Sequence, residues 1–514
     1  MPVNALWERG ETLAAPFAAR RCPVGHAEWL QAARDVADAG GQLLTLWISP
    51  EAGDASRCRV RALLRIGGRV LVPELALSVA GSGYRGLHEI FPAAQRLQRA
   101  AADLSGVRAT DTDDRPWLRH AAWPAGFLPL VPGAGPAMSG PACSDDYRFV
   151  RVDGDGVHEI AVGPVHAGTI EPGHFRFSVV GEKVLRLEAH LGYAHKGIER
   201  RFTELKVHAG HRLAARVSGD SAVAFSFAYC QALEATAGCA VPARAAWLRA
   251  VLLEIERIQN HLGDLGALGN DAGFAFGLAQ FLRLKELLLR SLEATLGQRY
   301  LLDAIVPGGT ARDLEAAAVD RLVAQLAGLA AEVEGLRSIY DAHAGLRDRF
   351  VGAGTVAPAL ARQLGLTGFA GRASGQNFDV RIDLPATPYD HHPPARAGSL
   401  DGDVAARVAI RFAELQESCR LVREFLAGLP SGPHQAPCAT PPAGVLGLGL
   451  VEGWRGPVCV ALETGSDGAI HRCHPHDPSW QNWPVLEHAI IGNNVPDFPL
   501  INKSFNLSYS GHDL

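Results

Sequence analysis

The 514-residue chain holds nine cysteines, and no two of them stand three positions apart. Cys22, Cys58, Cys143, Cys230, Cys239, Cys419, Cys438, Cys459 and Cys473 therefore form no Cys-x-x-Cys element. That element is the common thiolate unit of zinc and iron–sulfur sites, so this chain is not expected to build one alone. Each cysteine reads as a small buried apolar residue in a reducing compartment, and no disulfide framework is expected. No apolar run reaches the ~18 residues that a membrane-spanning helix needs. The N-terminus, beginning Met1-Pro-Val-Asn-Ala-Leu-Trp7, lacks the basic-then-apolar pattern of a secretory leader. Positive charge is not in excess: 49 basic residues face 54 acidic ones, for a net charge of −5. Nucleic acid is thus not an expected partner. A glycine-rich turn between a strand and a helix is also missing, so direct NADH binding is not expected.

What is present suffices for a large core. Apolar residues make up 47% of the chain and charged ones 20%, an ordinary globular balance. The pattern predicts an α+β protein. Residues 1–128 read as a small α+β domain with strands over 42–48, 57–66 and 70–77, a helix over about 91–104, and a loop carrying Trp117 and His120. Gly and Pro crowd residues 130–142, which places a linker at 129–147. Residues 148–514 form the second unit. It opens with strands over 157–165, 174–180 and 183–190, then turns helical over about 211–236, 247–266, 275–297, 313–343 and 403–428. It is a mainly α-helical bundle with flanking β-structure. In the last 70 residues, strands are expected over 445–451 and 457–463, followed by loops.

The helix over 247–266 has two faces. Leu248, Val251, Leu252, Ile255, Ile258, Leu262 and Leu265 recur at three-to-four spacing and form an apolar stripe. Glu254, Arg257, His261 and Asp264 are spaced three, four and three apart on the other side. That polar stripe reads either as a solvated face or as a buried ion network able to hold and relay protons.

A family resemblance rests on ordered motifs. Gly163-Pro-Val-His-Ala-Gly-Thr-Ile-Glu-Pro-Gly-His-Phe-Arg-Phe177 is followed by His190-Leu-Gly-Tyr-Ala-His-Lys-Gly-Ile-Glu199. Then come Glu254-x-x-Arg257-x-x-Asn260-His261, Pro307-Gly-Gly309 with Arg312-Asp313, and Arg372-Ala-Ser-Gly375 with Asp379 and Arg381. Gly402-Asp403-x-x-x-Arg407-x-x-x-Arg411, Glu452-Gly-Trp-Arg-Gly456 and Asp477-Pro-Ser479 complete the order. The chain resembles the large subunit of membrane-bound energy-converting nickel–iron hydrogenases of the formate-hydrogenlyase type, and the homologous quinone-site subunit of respiratory complex I. Residues 1–128 resemble, more loosely, the accessory subunit of complex I, here fused N-terminally.

The resemblance implies four cysteine ligands, and none is present. The first pair of positions falls on Ser218 and Ser221, the second on Ser508 and Gly511. A serine hydroxyl is a hard oxygen that stays protonated near neutral pH, a poor bridging ligand for nickel and low-spin iron. Cys230 stands nine residues past Ser221, too far along its helix to substitute. The expectation is no metal centre, with these four positions lining the old cavity. Complex I also lost these ligands and places a quinone there, but its quinone-binding His and Tyr positions fall on Ile170 and Gly219. His166, His174, His195 and Asp220 are candidates for a different polar set, and Arg455 resembles the arginine that overhangs the hydrogenase metals. Arg455, His174, Asp220, His261, Glu254 and Arg257 are the candidate catalytic residues.

The resemblance further implies an iron–sulfur cluster in a partner small subunit, antiporter-like and other integral membrane partners, and a cytoplasmic position peripheral to the inner membrane. It leaves open an oxidoreductase subunit passing electrons to quinone or another small acceptor, a non-catalytic coupling subunit, or a working hydrogenase, the last disfavoured by the missing cysteines.

Overall fold

A computed structural model describes residues 3–79, 83–120, 123–124, 126–131, 133, 147–168 and 170–514. Most of the expected linker over 129–147 lies outside the described residues, as do Cys143 and Thr169 of the first motif. The fold is α+β, as the sequence predicts.

Three main sheets and a long-helix bundle make up the architecture. Near the N-terminus a five-stranded sheet runs in the order Glu11–Thr12, Ala19–Val24, Arg69–Ser78, Asp54–Ile66, Gln42–Glu51. Ala19–Val24 pairs parallel to Arg69–Ser78 and the other pairs are antiparallel. The sequence reading missed Ala19–Val24 and the helix His26–Asp38 that follows it. A parallel pair needs a crossover between its strands, and that helix lies within the crossover. The strands Val157–Val162, His174–Val180 and Lys183–His190 form an antiparallel sheet, the first ending three residues before the expected 165. Another antiparallel sheet joins Leu446–Gly453, Gly456–Thr464 and Ile470–His476.

The central helix runs over Ala243–Asp271 and is buried all round. Its apolar stripe is in the core, and Glu254, Arg257, His261 and Asp264 are at most 4% exposed. The solvated-face reading of that polar stripe is therefore corrected: a helix buried on every side must pair its charges internally. Beside it lie Ala275–Leu296, Ala316–Ala342 and Val404–Ala427.

The single helix expected over 211–236 is two helices, Gly210–Ala214 and Ala222–Ala237, with residues 215–221 as the break. Ser and Asp side chains bond locally to the backbone and favour such breaks. The C-terminal reading also needs correction. The strand Ile470–His476 and the helices Ser479–Ala489 and Phe498–Phe505 occupy what reads as loop. Pro478, Pro484, Gly492, Pro496 and Pro499 punctuate that stretch and mask its helical period.

Two close backbone approaches position the site. A Cβ on Gly449 would stand 1.8 Å from the Ala228 carbonyl oxygen, so only glycine lets the strand Leu446–Gly453 lie against Ala222–Ala237. Gly368, at φ +67°, would put a Cβ 1.7 Å from the Arg455 carbonyl oxygen. It presses directly on the turn that carries Trp454 and Arg455.

The five-stranded sheet docks on the C-terminal sheet through buried polar bonds. Thr45 Oγ1 meets His474 Nε2 at 2.8 Å, Gln481 Nε2 donates to the Leu44 carbonyl at 2.5 Å, and Arg61 bonds Glu463 at 2.8 Å.

Candidate functional site

The break before Ala222–Ala237 brings residues 218–221 against the C-terminal tail. Ser218 Oγ lies 2.7 Å from Asp220 Oδ1 and 2.9 Å from Ser508 Oγ. A hydroxyl has one proton to give. Ser218 gives its own to the carboxylate, so Ser508 is the donor to Ser218. Ser508 Oγ in turn accepts the Gly511 N–H at 2.8 Å. The result is a directional relay, Gly511 to Ser508 to Ser218 to Asp220. Three of the four positions where relatives' ligands are expected thus meet through hydrogen bonds. Ser221 joins at the edge, its Oγ 3.4 Å from Asp220 Oδ1.

Arg455 closes the group from above. Nη1 and Nη2 donate to the two Asp220 oxygens at 2.8 and 2.5 Å, a bidentate pair, and Nε donates to the Asn506 carbonyl at 2.5 Å. Its guanidinium carbon stacks 4.0 Å from the Trp454 ring centre. The Asp220 backbone carbonyl accepts from Trp454 Nε1 at 2.9 Å and Asn260 Nδ2 at 2.8 Å. Burial would raise the Asp220 carboxyl, but Arg455 and the Ser218 hydroxyl outweigh it and hold it down at about 2. Ser218, Ser508 and Arg455 are at most 4% exposed, whereas the Asp220 side chain keeps 36% of its surface and Gly219 is exposed. The site therefore opens at Gly219 and Asp220.

Two further carboxyls border it. Glu256 accepts the Val223 and Ala224 N–H groups at 2.6 and 3.1 Å, capping the helix that starts just after Ser221. It has no hydrogen-bonded cation, and burial pushes it up to about 8. Asp477 Oδ1 accepts the Ser479 N–H at 2.8 Å, while Oδ2 is buried without a hydrogen-bond partner. A Cβ on Gly511 would lie 2.5 Å from that oxygen. Burial raises the Asp477 carboxyl, against the pull of nearby Arg455.

A nickel–iron centre does not fit this donor set. Ser218, Ser221 and Ser508 offer hard hydroxyls, two of them bonded to each other. Gly511 offers no side chain, and Asp477 presses on the space above it. Among the described residues no group of three or more His, Cys, Asp or Glu could hold a metal ion. Cys230 belongs to different surroundings: burial pushes its thiol well up, and its charged neighbours are Arg249 and Glu234.

The other candidates fall in two places. Glu254, Arg257 and His261 join a buried ion lattice beyond Trp454, whose ring is 6.0 Å from that of His261. Arg381 bonds Glu254 at 3.1 Å and Asp379 at 2.7 Å. Arg372 bonds Glu414 at 2.7 Å and Glu452 at 3.0 Å. Arg257 reaches Glu254 at 3.3 Å, and His261 Nε2 meets Glu414 at 3.1 Å. Burial holds His261 below its usual range despite Glu414. His174 lies with the β-sheet instead, its Nδ1 3.3 Å from the Gly163 carbonyl and its ring 5.1 Å from Phe149. His166 bonds the Gly173 carbonyl and His195 the Asp513 carbonyl. The polar set proposed from sequence thus divides: Asp220 joins Arg455 and the serines, and the three histidines have their own partners.

Sequence reasoning missed Glu256, Asn506 and Glu414 as site residues. Glu256 had a signal, an acid two residues from Glu254 and so off the polar stripe. Glu414 had none, since it meets His261 only through tertiary packing.

Comparison with known proteins follows the same lines. The profile of the family described as "Respiratory-chain NADH dehydrogenase, 49 Kd subunit" matches residues 271–444. Formate hydrogenlyase subunit 5 of Escherichia coli (strain K12) is 31% identical over 430 residues, covering 82% of this chain and 75% of the relative. The carbon monoxide-induced hydrogenase of Rhodospirillum rubrum is 31% identical over 351 residues, 68% of this chain and 97% of the relative. NADH-quinone oxidoreductase subunit 4 of Thermus thermophilus is 29% identical over 377 residues, 68% and 92% respectively. Among solved structures, a chain of the membrane-bound sulfane sulfur reductase, an archaeal respiratory membrane complex, superposes with a TM-score of 0.66 at 23% identity. The match covers 70% of this chain and 99% of that one.

Proposed function

The chain belongs to the family that unites the complex I 49 kDa subunit with the large subunits of membrane-bound hydrogenases, and from that premise we propose that it is the metal-free cavity subunit of a membrane-associated oxidoreductase. It receives electrons from an iron–sulfur cluster in a partner small subunit and serves their transfer to a quinone or another small acceptor. Other partners are integral membrane subunits, antiporter-like proteins among them. Among the described residues no helix is long and apolar enough to cross a membrane, so attachment runs through those partners.

The observation that carries this reading is the Asp220–Arg455 pair over linked serines, open to the outside at Gly219. Arg455 and the linked hydroxyls offer positive charge and hydrogen-bond donors to an acceptor that gains electrons, and the nearby Glu256, raised to about 8, can release a proton. The test is cluster-dependent quinone reduction by the purified complex, together with elemental analysis. Reduction that drops at least tenfold in Arg455→Met, with no stoichiometric nickel, supports the proposal. Stoichiometric nickel overturns the metal-free reading, and no reduction of any quinone or small acceptor overturns the catalytic one.

The mutual bond between Ser218 and Ser508 favours a second reading, a coupling subunit whose inner site is closed upon itself. An acceptor analogue that protects the assembled complex from heat in the wild type, and not in Asp220→Asn, excludes that reading.

A further inference from the structure

Eight cysteines lie among the described residues, and six of them are buried. The two that are half-exposed, Cys239 and Cys438, are neighbours in space. Cys239 follows Gly238, the left-handed C-cap of Ala222–Ala237. Its backbone N–H bonds the Glu234 carbonyl at 2.9 Å. Its Sγ–H points at the Pro437 carbonyl, 3.6 Å away, the Cys438 Sγ–H points at the Ala439 carbonyl, 3.8 Å away, and the two thiols are near enough to interact electrostatically. We propose that Cys239 and Cys438 form a redox-active dithiol site that oxidises to a disulfide. This inference is independent of the proposed cavity function.

The surroundings favour a closed pair over chance proximity. Residues 430–442 contain Pro430, Pro433, Pro437, Pro441 and Pro442 and carry no strand or helix. The middle of that stretch is pinned: Thr310 N–H bonds the His434 carbonyl and Ala436 N–H bonds the Gly308 carbonyl, both at 3.0 Å. Gly308 N–H in turn bonds Glu234 at 2.7 Å, in the last turns of the helix that ends at Gly238. Both cysteines are therefore held by one framework. Exposure, not acidity, sets the pair apart: burial pushes the thiols of Cys230, Cys419, Cys459 and Cys473 up, and burial with the neighbouring Cys239 pushes Cys438 up to about 12 as well, but only Cys239 and Cys438 among the described cysteines are open to a reagent.

The oxidant is a low-molecular-weight disulfide of the oxidised-glutathione class. The Cys239 thiolate attacks one sulfur of the reagent. The reagent's S–S bond breaks and the leaving thiolate takes up a proton. Cys438 then loses its proton and attacks the Cys239 sulfur of the mixed disulfide, releasing the second small thiol. Two protein thiols are oxidised, and one small disulfide is reduced to two thiols.

The test uses the full chain carrying Cys143→Ala, because Cys143 lies outside the described residues. The protein is incubated with oxidised glutathione, the free thiols are alkylated, and intact mass and disulfide-linked peptides are read. The expected result is a loss of two hydrogens, two fewer alkylated thiols, and one linked peptide pair containing Cys239 and Cys438, all reversed by dithiothreitol. With Cys438→Ser, Cys239 is expected to stop at a stable glutathione adduct, a product a misfolded variant would not give selectively. Both thiols remaining alkylatable after incubation, or glutathione adducts on each without a linked pair, would overturn the proposal.

Discussion

On one side of Trp454, Arg257, Arg372 and Arg381 face Glu254, Asp379, Glu414 and Glu452, nearly every charge at bond distance from an opposite one. On the other side, Glu256 and Asp477 are buried with no hydrogen-bonded cation, and a single ion pair, Asp220–Arg455, stands at a partly open mouth. Both regions are polar and deep, yet their electrostatics differ. The lattice holds three guanidinium groups against four carboxyls, one negative charge in excess. Burial and nearby Asp379 accordingly raise Glu452, to about 7. Three of its carboxyls stay ionised, so the lattice is a fixed support that braces the central helix against residues 372–381 and the strand Leu446–Gly453. Around the serines, burial raises Glu256, to about 8, and also raises Asp477, while Arg455 keeps Asp220 ionised. An isolated buried carboxyl shifts its pKa upward and can accept or release a proton within the working range. The difference fits the proposed function, with support in one region and chemistry in the other.

The largest effect should follow from cutting the lattice. Arg381→Met leaves Glu254 and Asp379 buried without their main partner, and breaking a buried pair from one side costs about 3–5 kcal/mol. The expected outcome is loss of soluble protein, or an unfolding free energy from urea titration lowered by that amount. A near-neutral result would mean that water reaches the lattice and that its two-sided contrast with the serine site is wrong.

Next comes the pair at the mouth. Asp220→Asn removes a charge-assisted bidentate bond, worth about 1–3 kcal/mol, and its partial exposure places it at the low end. The folded pKa of about 2 lies below the unfolded value near 4. The pair's contribution is therefore present above pH ~4 and lost as pH falls toward 2. Urea titrations of wild type and Asp220→Asn should converge over that window. Ser508→Ala should cost less, about 1 kcal/mol, because it strands the Gly511 N–H and takes one donor from Ser218.

The fold's helices were legible because the apolar period of Ala243–Asp271 and Val404–Ala427 is strong and uninterrupted. The C-terminal helices were not, since prolines break the pattern that tertiary packing restores. For the site, the identity of Ser218, Ser221, Ser508 and Gly511 as the relevant positions came from motif order alone. Their convergence could not be read from sequence: Ser218 and Ser508 are 290 positions apart, and only the folded chain brings the tail beneath Arg455. The same limit hid the pairing of Asp220 with Arg455, because nothing local distinguishes that aspartate from an ordinary turn residue. His174, a candidate for its place within the first motif, is set beside Phe149 by strand geometry.

The subtlest consequence concerns Glu256. Its folded pKa of about 8 lies above the ordinary value of 4.5, so the native state holds a proton that the unfolded chain releases between those values. Stability from this group is thus complete below pH 4.5 and declines as pH rises through about 8. In Glu256→Gln the charge is gone, while one amide oxygen still accepts from the start of the helix Ala222–Ala237. The net change at pH 5 should be small, because both side chains are neutral there. Toward pH 8 the variant should lose less stability than wild type, and the two unfolding curves should separate progressively. Parallel curves across that range would show that the carboxylate is ionised throughout, held by the two backbone N–H groups. In that case the serine site, like the lattice, would be a region of fixed charge.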